Sequence, residues 1–249
     1  DPLKGRGLIF IVGLPRSGTS LAESILSTAD NITTGGEKTF FTIQLKDVVR
    51  NLFSEDINLD TDFFNSLGDR YLDHIKIQKG NSIFFTDKLP ENYLYYQFIK
   101  LSLPSAKFIY CHRDPWDNAI SLFKQNYAVN IFYASSFFGI ANEAANSENL
   151  IKFWKEKNGN DQIFDLAYEQ MVSGHTDIID KLWRHCGLKG KYSESKRKSH
   201  FAYTASMQQV TQDIYATSLR KQDFLDKKSH FYEDLESQRI YWQDKAKSI

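Results

Sequence analysis

The stretch Gly7-Leu-Ile-Phe-Ile-Val-Gly13-Leu-Pro-Arg-Ser-Gly18-Thr-Ser20 carries the architecture of this chain. Its first half is a continuous apolar run without alternation, the pattern of a strand buried on both faces of a parallel sheet. The run ends in a glycine-spaced turn. From Leu21 to Thr28, Leu21, Ile25 and Leu26 fall on one helical face. Strand, turn and helix follow one another with no spare residues. Three further short apolar runs read as strands, over 82–87, 106–112 and 161–168. Between and after them, helical patterns cover 63–77, 91–101, 115–125, 136–157 and 170–186. Strands alternating with helices predict a three-layer α/β fold of P-loop-like type, with a central parallel sheet flanked by helices.

Composition narrows the function classes. The chain has 249 residues, which suits a single domain over 1–249. Asp1 in place of an initiator methionine is compatible with a domain cut from a longer chain. Lys+Arg and Asp+Glu both number 31, so general affinity for nucleic acid is not expected, although a local basic pocket is allowed. No apolar stretch approaches the ~20 residues needed to span a bilayer. Cys111 and Cys186 are the two cysteines, too few for a disulfide framework, which points to a reducing, cytoplasmic setting. After Gly187 the chain turns basic and then polar, over 189–198 and 206–229, as a solvated surface segment would. Thirty-six aromatic residues are mostly core material. Phe40, Phe41, Phe63, Phe64, Phe132, Tyr133, Phe137 and Phe138 could equally wall an acceptor pocket or fill a helix interface.

The turn itself is a candidate anion site. Glycines at 13 and 18 let backbone N–H groups converge on phosphate oxygens. The helix that starts near Ser17 adds the positive end of its dipole. Thr19 and Ser20 supply hydroxyls. A nucleoside-triphosphate loop carries a lysine before its Ser/Thr; here that position is Thr19, and the basic residue is Arg16 within the loop. A convincing acidic metal-holding strand is also missing, and no His/Cys/Asp spacing indicates a metal. The loop is therefore adapted to something other than metal-assisted ATP hydrolysis.

Pro15-Arg16-Ser17-Gly18-Thr19-Ser20 resembles the 5′-phosphosulfate loop of sulfotransferases that use 3′-phosphoadenosine-5′-phosphosulfate (PAPS). A second motif agrees. Cys111-His-Arg113-Asp-Pro-Trp-Asp-Asn-Ala-Ile-Ser121 is similar to that family's 3′-phosphate site, with Arg113 and Ser121 across a strand-to-helix turn. An arginine fork and a helix hydroxyl are chemically suited to a phosphate. The closest flavour is that of the tyrosylprotein enzymes and of bacterial domains associated with tetratricopeptide repeats; the absent Cys pairs of the secreted enzymes favour the bacterial branch. Gly35-Gly36-Glu37 falls where the tyrosylprotein enzymes carry a catalytic glutamate, and Thr86-Asp-Lys88-Leu-Pro90 resembles a segment of the bacterial group. Tyr168 matches a strand-end tyrosine near the nucleotide. Ser206 and Lys221 match a C-terminal lid, in which Gln222 replaces the usual tryptophan.

The resemblance implies transfer of a sulfuryl group from PAPS to a hydroxyl, without metal. Glu37 would be the base, Lys88 would stabilise the oxygen left on the phosphate, and Arg16 the sulfonate or 5′-phosphate. Asp87 is the rival base. Glu37 has a plainer reading as a carboxylate favoured by the dipole of a helix from Thr39 onward, and Lys88 as a solvated lysine after a strand. Arg113, Ser121, Lys221 and the Arg197–Lys198 pair would surround the donor's anionic groups. The acceptor class is not legible. Two other functions stay open: a P-loop kinase, and a non-catalytic nucleotide-binding interaction module.

Overall fold

In a computed structural model, the described residues are 1–52, 58–124, 131–159, 161–173, 176–190, 192 and 225–247. A five-stranded parallel sheet forms the middle layer, in the order β2-β3-β1-β4-β5. Its strands are β1 (Leu8–Gly13), β2 (Ile32–Thr34), β3 (Phe84–Asp87), β4 (Lys107–His112) and β5 (Ile163–Ala167). β1 is central, with Phe10 opposite Asp87 on one side and Phe108 on the other.

All six residues of β1 are buried, as its unbroken apolar run predicts. Successive side chains still point to opposite faces. Leu8, Phe10 and Val12 enter a core with Phe41 and Leu45 of α2 (Phe40–Asn51), Leu67, Tyr71 and Ile75 of α3 (Thr61–Lys79), and Tyr96 and Ile99 of α4 (Tyr96–Ser102). Ile9 and Ile11 enter a second core with Ile25 and Leu26 of α1 (Thr19–Leu26). That core also contains Leu166, Met171 of the short α7 (Tyr168–Val172), and Leu182 and Trp183 of α8 (Thr176–Cys186). A third cluster lies beside the sheet. It joins Leu14, Trp116 and Leu122 of α5 (Pro115–Phe123), Ile140 and Ala141 of α6 (Phe137–Asn158), and Phe231 and Leu235 of α9 (Leu225–Lys247).

Several sequence readings need correction. The helix expected over 91–101 begins as a 3₁₀ turn, Pro90–Tyr95, because Pro90 starts it and the α-helical ladder forms only from Tyr96. The single helix over 170–186 is two helices, α7 capping at Ser173 and α8 starting at Thr176. The helix from Pro115 ends at Phe123 rather than 125. β2 was not anticipated; it is three half-buried residues long and has little pattern to show. The segments 189–198 and 206–229 fall mostly outside the described residues; beyond them, Phe231 and Leu235 are buried. Phe40 and Phe41 are core rather than pocket wall: both pack against Tyr71.

Candidate active site

Because all five strands run parallel, their carboxyl ends share one edge. The chain leaves β1 toward β2 on one side and leaves β4 toward β5 on the other, so the strand order reverses between neighbours β1 and β4, where α/β sheets leave a crevice for ligands. The turn after β1 lies there. Gly13 has φ +143, and a Cβ on it would lie 2.2 Å from the Cys111 carbonyl oxygen. Gly18, at φ +103, caps α1 with a bare backbone. Arg16 adopts φ +69, an uncommon conformation for a residue with a side chain. Thr19 and Ser20 are buried in the first turn of α1, and the Pro15 carbonyl accepts from Asn118 Nδ2 at 3.1 Å. Ser17 Oγ is buried with no hydrogen-bond partner among the described residues. A buried orphan hydroxyl costs free energy unless something completes it, so the loop is chemically suited to an anionic oxygen.

The two sequence motifs meet. Arg16 Nε donates to Ser121 Oγ at 3.0 Å, across 105 residues of chain. Arg113 lies over the ring of Tyr168, 4.4 Å from its centre, a cation–π contact that fixes the guanidinium plane. Asp114 caps α5 by accepting from the Trp116 and Asp117 amides, and its own N–H donates to Glu169 at 2.9 Å. Tyr232 of α9 donates to the same Asp114 carboxylate at 3.2 Å.

On the other side of β1, the Gly35-Gly36-Glu37 segment continues the pairing of β2 with β3. The Gly35 amide donates to the Thr86 carbonyl and the Lys88 amide to the Gly36 carbonyl, both at 2.9 Å. A Cβ on Gly35 would sit 2.2 Å from the Thr86 oxygen, and Gly36 turns at φ +65. The two glycines thus allow the close approach and left-handed turn that bring Glu37 to Lys88. Lys88 Nζ and Glu37 Oε1 are 2.6 Å apart, with the lysine side chain 1 % exposed and the glutamate 49 %. The plainer reading of Lys88 as a solvated lysine is therefore wrong. Glu37 spends its carboxylate on that lysine.

Asp87 is 1 % exposed. It accepts from the Tyr71 hydroxyl at 2.8 Å and Asn92 Nδ2 at 3.3 Å. Burial pushes its carboxyl up to about 7. That enclosure leaves it poorly placed to meet an acceptor. Glu91, at the surface nearby, has its carboxyl raised by partial desolvation and then by Glu37 and Glu143. Sequence reasoning passed over Glu23 of α1. It is 2 % exposed, and Oε1 accepts from Thr86 Oγ1 at 2.6 Å and from the Gly36 amide at 3.2 Å. On a helix with Ala22 and Ser24 beside it, nothing in the local pattern distinguishes it from an outward-facing acid. Ser206, Lys221 and the Arg197–Lys198 pair lie outside the described residues. No metal-holding cluster occurs among the described residues, and none of their helices is long and apolar enough to cross a membrane.

Comparison with known proteins adds an independent line. The model of the sulfotransferase family matches residues 9–194. An uncharacterized protein of Aquifex aeolicus (strain VF5) is 29 % identical over 244 residues, covering 89 % of this chain and 32 % of that protein. The chain thus spans about a third of the length of that relative. The sulfotransferase domain of the Synechococcus PCC 7002 olefin synthase shares the fold with a TM-score of 0.55 at 14 % identity, over 95 % of this chain and 94 % of that one. A sulfotransferase from Mycobacterium tuberculosis shares it with a TM-score of 0.51 at 12 % identity, over 79 % and 71 %.

Proposed function

The chain belongs to the sulfotransferase family, and on that premise we propose that it moves a sulfuryl group from PAPS to an acceptor hydroxyl, leaving adenosine 3′,5′-bisphosphate, without a metal. The observation that carries this reading is the Arg16–Ser121 hydrogen bond. It ties the phosphate loop to the Arg113 turn, so that two anion-binding elements face one crevice. A donor with anionic groups at both its 5′ and 3′ positions matches two such elements. A triphosphate, with its charge in one run, does not.

In this reading the loop amides, Arg16, Thr19, Ser20 and the orphan Ser17 hydroxyl hold the 5′-phosphosulfate, while Arg113 and Ser121 hold the 3′-phosphate. Tyr168 keeps Arg113 in plane, and Ser206 and Lys221 belong to the lid. Glu37 takes the acceptor's O–H proton as the new S–O bond forms. Lys88 donates to the oxygen left on the phosphate when the old S–O bond breaks. The Glu37–Lys88 pair must part for either to act. Glu37 is preferred to Asp87 because it is the more accessible of the two. Residues 1–249 act as one sulfotransferase domain. Cys111 and Cys186, separate buried thiols, suit a reducing compartment.

The test is transfer of labelled sulfate from PAPS to a panel of phenols, alcohols, sugars and tyrosine peptides, in chelator. Wild-type protein should label at least one acceptor class. Glu37→Gln should lower kcat at least a hundredfold while binding adenosine 3′,5′-bisphosphate within threefold of wild type. Phosphoryl transfer from ATP with magnesium, or undiminished turnover by Glu37→Gln, would contradict the proposal.

A further inference from the structure

We infer that Glu23 is a positioning residue for the reacting pair: from α1, its carboxylate holds the Gly36 amide and the Thr86 hydroxyl so that Glu37 and Lys88 meet. The inference rests on the sulfotransferase reading for its chemistry, and on geometry alone for the positioning. Glu23 is the fifth residue of α1, in the second turn of the helix that the phosphate loop starts. One oxygen, Oε1, accepts both bonds. Thr86 lies on β3 two residues before Lys88, which follows the strand end at Asp87, and Gly36 immediately precedes Glu37. Thr86 Oγ1, having donated its proton to Glu23, accepts from the Gly35 amide at 3.3 Å. A single side chain therefore links the helix that follows the donor loop to both segments carrying the pair.

At 2 % exposure Glu23 cannot reach an acceptor, so it works through others. A carboxylate is an expensive way to fill that space. Burial raises its pKa against the opposing pull of Thr86, Lys88 and Gly36. A leucine would fill the volume at lower cost but leave the Gly36 amide and Thr86 hydroxyl without this acceptor. What the carboxylate supplies is an acceptor with two donors converging on it. Gly36, at φ +65 and with nothing within 4 Å of a notional Cβ, has no side-chain packing to hold it. The Lys88 amide already holds the Gly36 carbonyl, and the bond that the Gly36 amide donates to Glu23 restrains the other side of the same residue.

The experiment compares Glu23→Gln, which keeps an acceptor oxygen, with Glu23→Leu, which does not, and with Thr86→Val. Amide exchange of the segment 33–38 is read by mass spectrometry, and adenosine 3′,5′-bisphosphate affinity by calorimetry. Turnover is read with PAPS and 4-nitrophenol as the probe acceptor. In Glu23→Leu the 33–38 segment should exchange at least tenfold faster and kcat should fall at least tenfold, with bisphosphate affinity within threefold. Thr86→Val should show a smaller change in the same direction. Glu23→Gln should restore exchange and kcat to within threefold of wild type. Unchanged exchange of 33–38 in Glu23→Leu would overturn the inference, as would faster exchange spread evenly over α1, β1 and β3. Absence of bisphosphate binding by the wild type would instead overturn the sulfotransferase reading, and the exchange data would still decide the role of Glu23.

Discussion

Asp87 shows how far an environment can move one residue from its usual chemistry. Its carboxyl, ordinarily near 3.8, is pushed up to about 7 chiefly by burial. An acid whose native pKa lies above its unfolded one binds its proton more tightly when folded. The stability it contributes is complete below about 4, drains as pH rises and is gone above about 7. Asp87→Asn removes that titration and keeps an oxygen for the Tyr71 hydroxyl. Between pH 5 and pH 8 the unfolding free energy of the variant should shift relative to wild type by on the order of 2 kcal/mol in the variant's favour, read by urea unfolding. A constant difference across that range would refute the assignment. Turns that follow strands mark Arg16 and Arg113 in the sequence, and a strand end marks Lys88, whereas Glu37 stands out only through the family resemblance. Glu23 and the Tyr71–Asp87 contact were not legible. Each depends on a partner more than ten residues away, and burial of a carboxylate leaves no local trace.

At the scale of elements, the turn after β1 and helix α7 constrain each other. A Cβ on Gly18 would meet Tyr168 Cδ2 at 2.9 Å and Met171 Cε at 2.8 Å, at a φ that side chains avoid. Gly18→Ala should therefore push Tyr168 from beneath Arg113 and strain the turn. The expected result is a loss of about 1–2 kcal/mol in stability and at least a tenfold loss of adenosine 3′,5′-bisphosphate affinity, measured by urea unfolding and calorimetry. Full affinity in this variant would show that Tyr168 does not seat Arg113. β1, β3, β4 and β5 were readable because each is an apolar run bounded by turn residues. The break between α7 and α8 was passed over although Ser173-Gly-His-Thr-Asp177 interrupts the apolar pattern, because Met171 and Val172 keep a seven-residue spacing to Ile178 and Ile179. β2 is too short to show a period, and its place in the sheet comes from pairing with β3.

Across the whole molecule, the C-terminal helix is joined to the donor side. Phe231 is buried and its ring lies 5.5 Å from that of Trp116 on α5. Arg239 donates to Glu148 of α6 at 2.6 Å, and Tyr232 reaches Asp114, the residue after Arg113. Phe231→Ala should lower the unfolding free energy by about 3–5 kcal/mol, as emptying a packed aromatic site does, and a loss below 1 kcal/mol would place α9 outside the cooperative core. This helix was hidden in the sequence because its composition is polar, with only one face meeting α5 and α6. The central claim spans both halves of the sheet, namely that the phosphate loop and the Arg113 turn together bind one doubly anionic nucleotide. The most direct measurement is calorimetric titration of adenosine 3′,5′-bisphosphate, in chelator, into wild type and Arg113→Ala. Binding to wild type that requires the 3′-phosphate, and weakens at least thirtyfold in the variant, is the predicted result. No binding, equal binding by the variant, or binding of ATP only with magnesium would contradict the account.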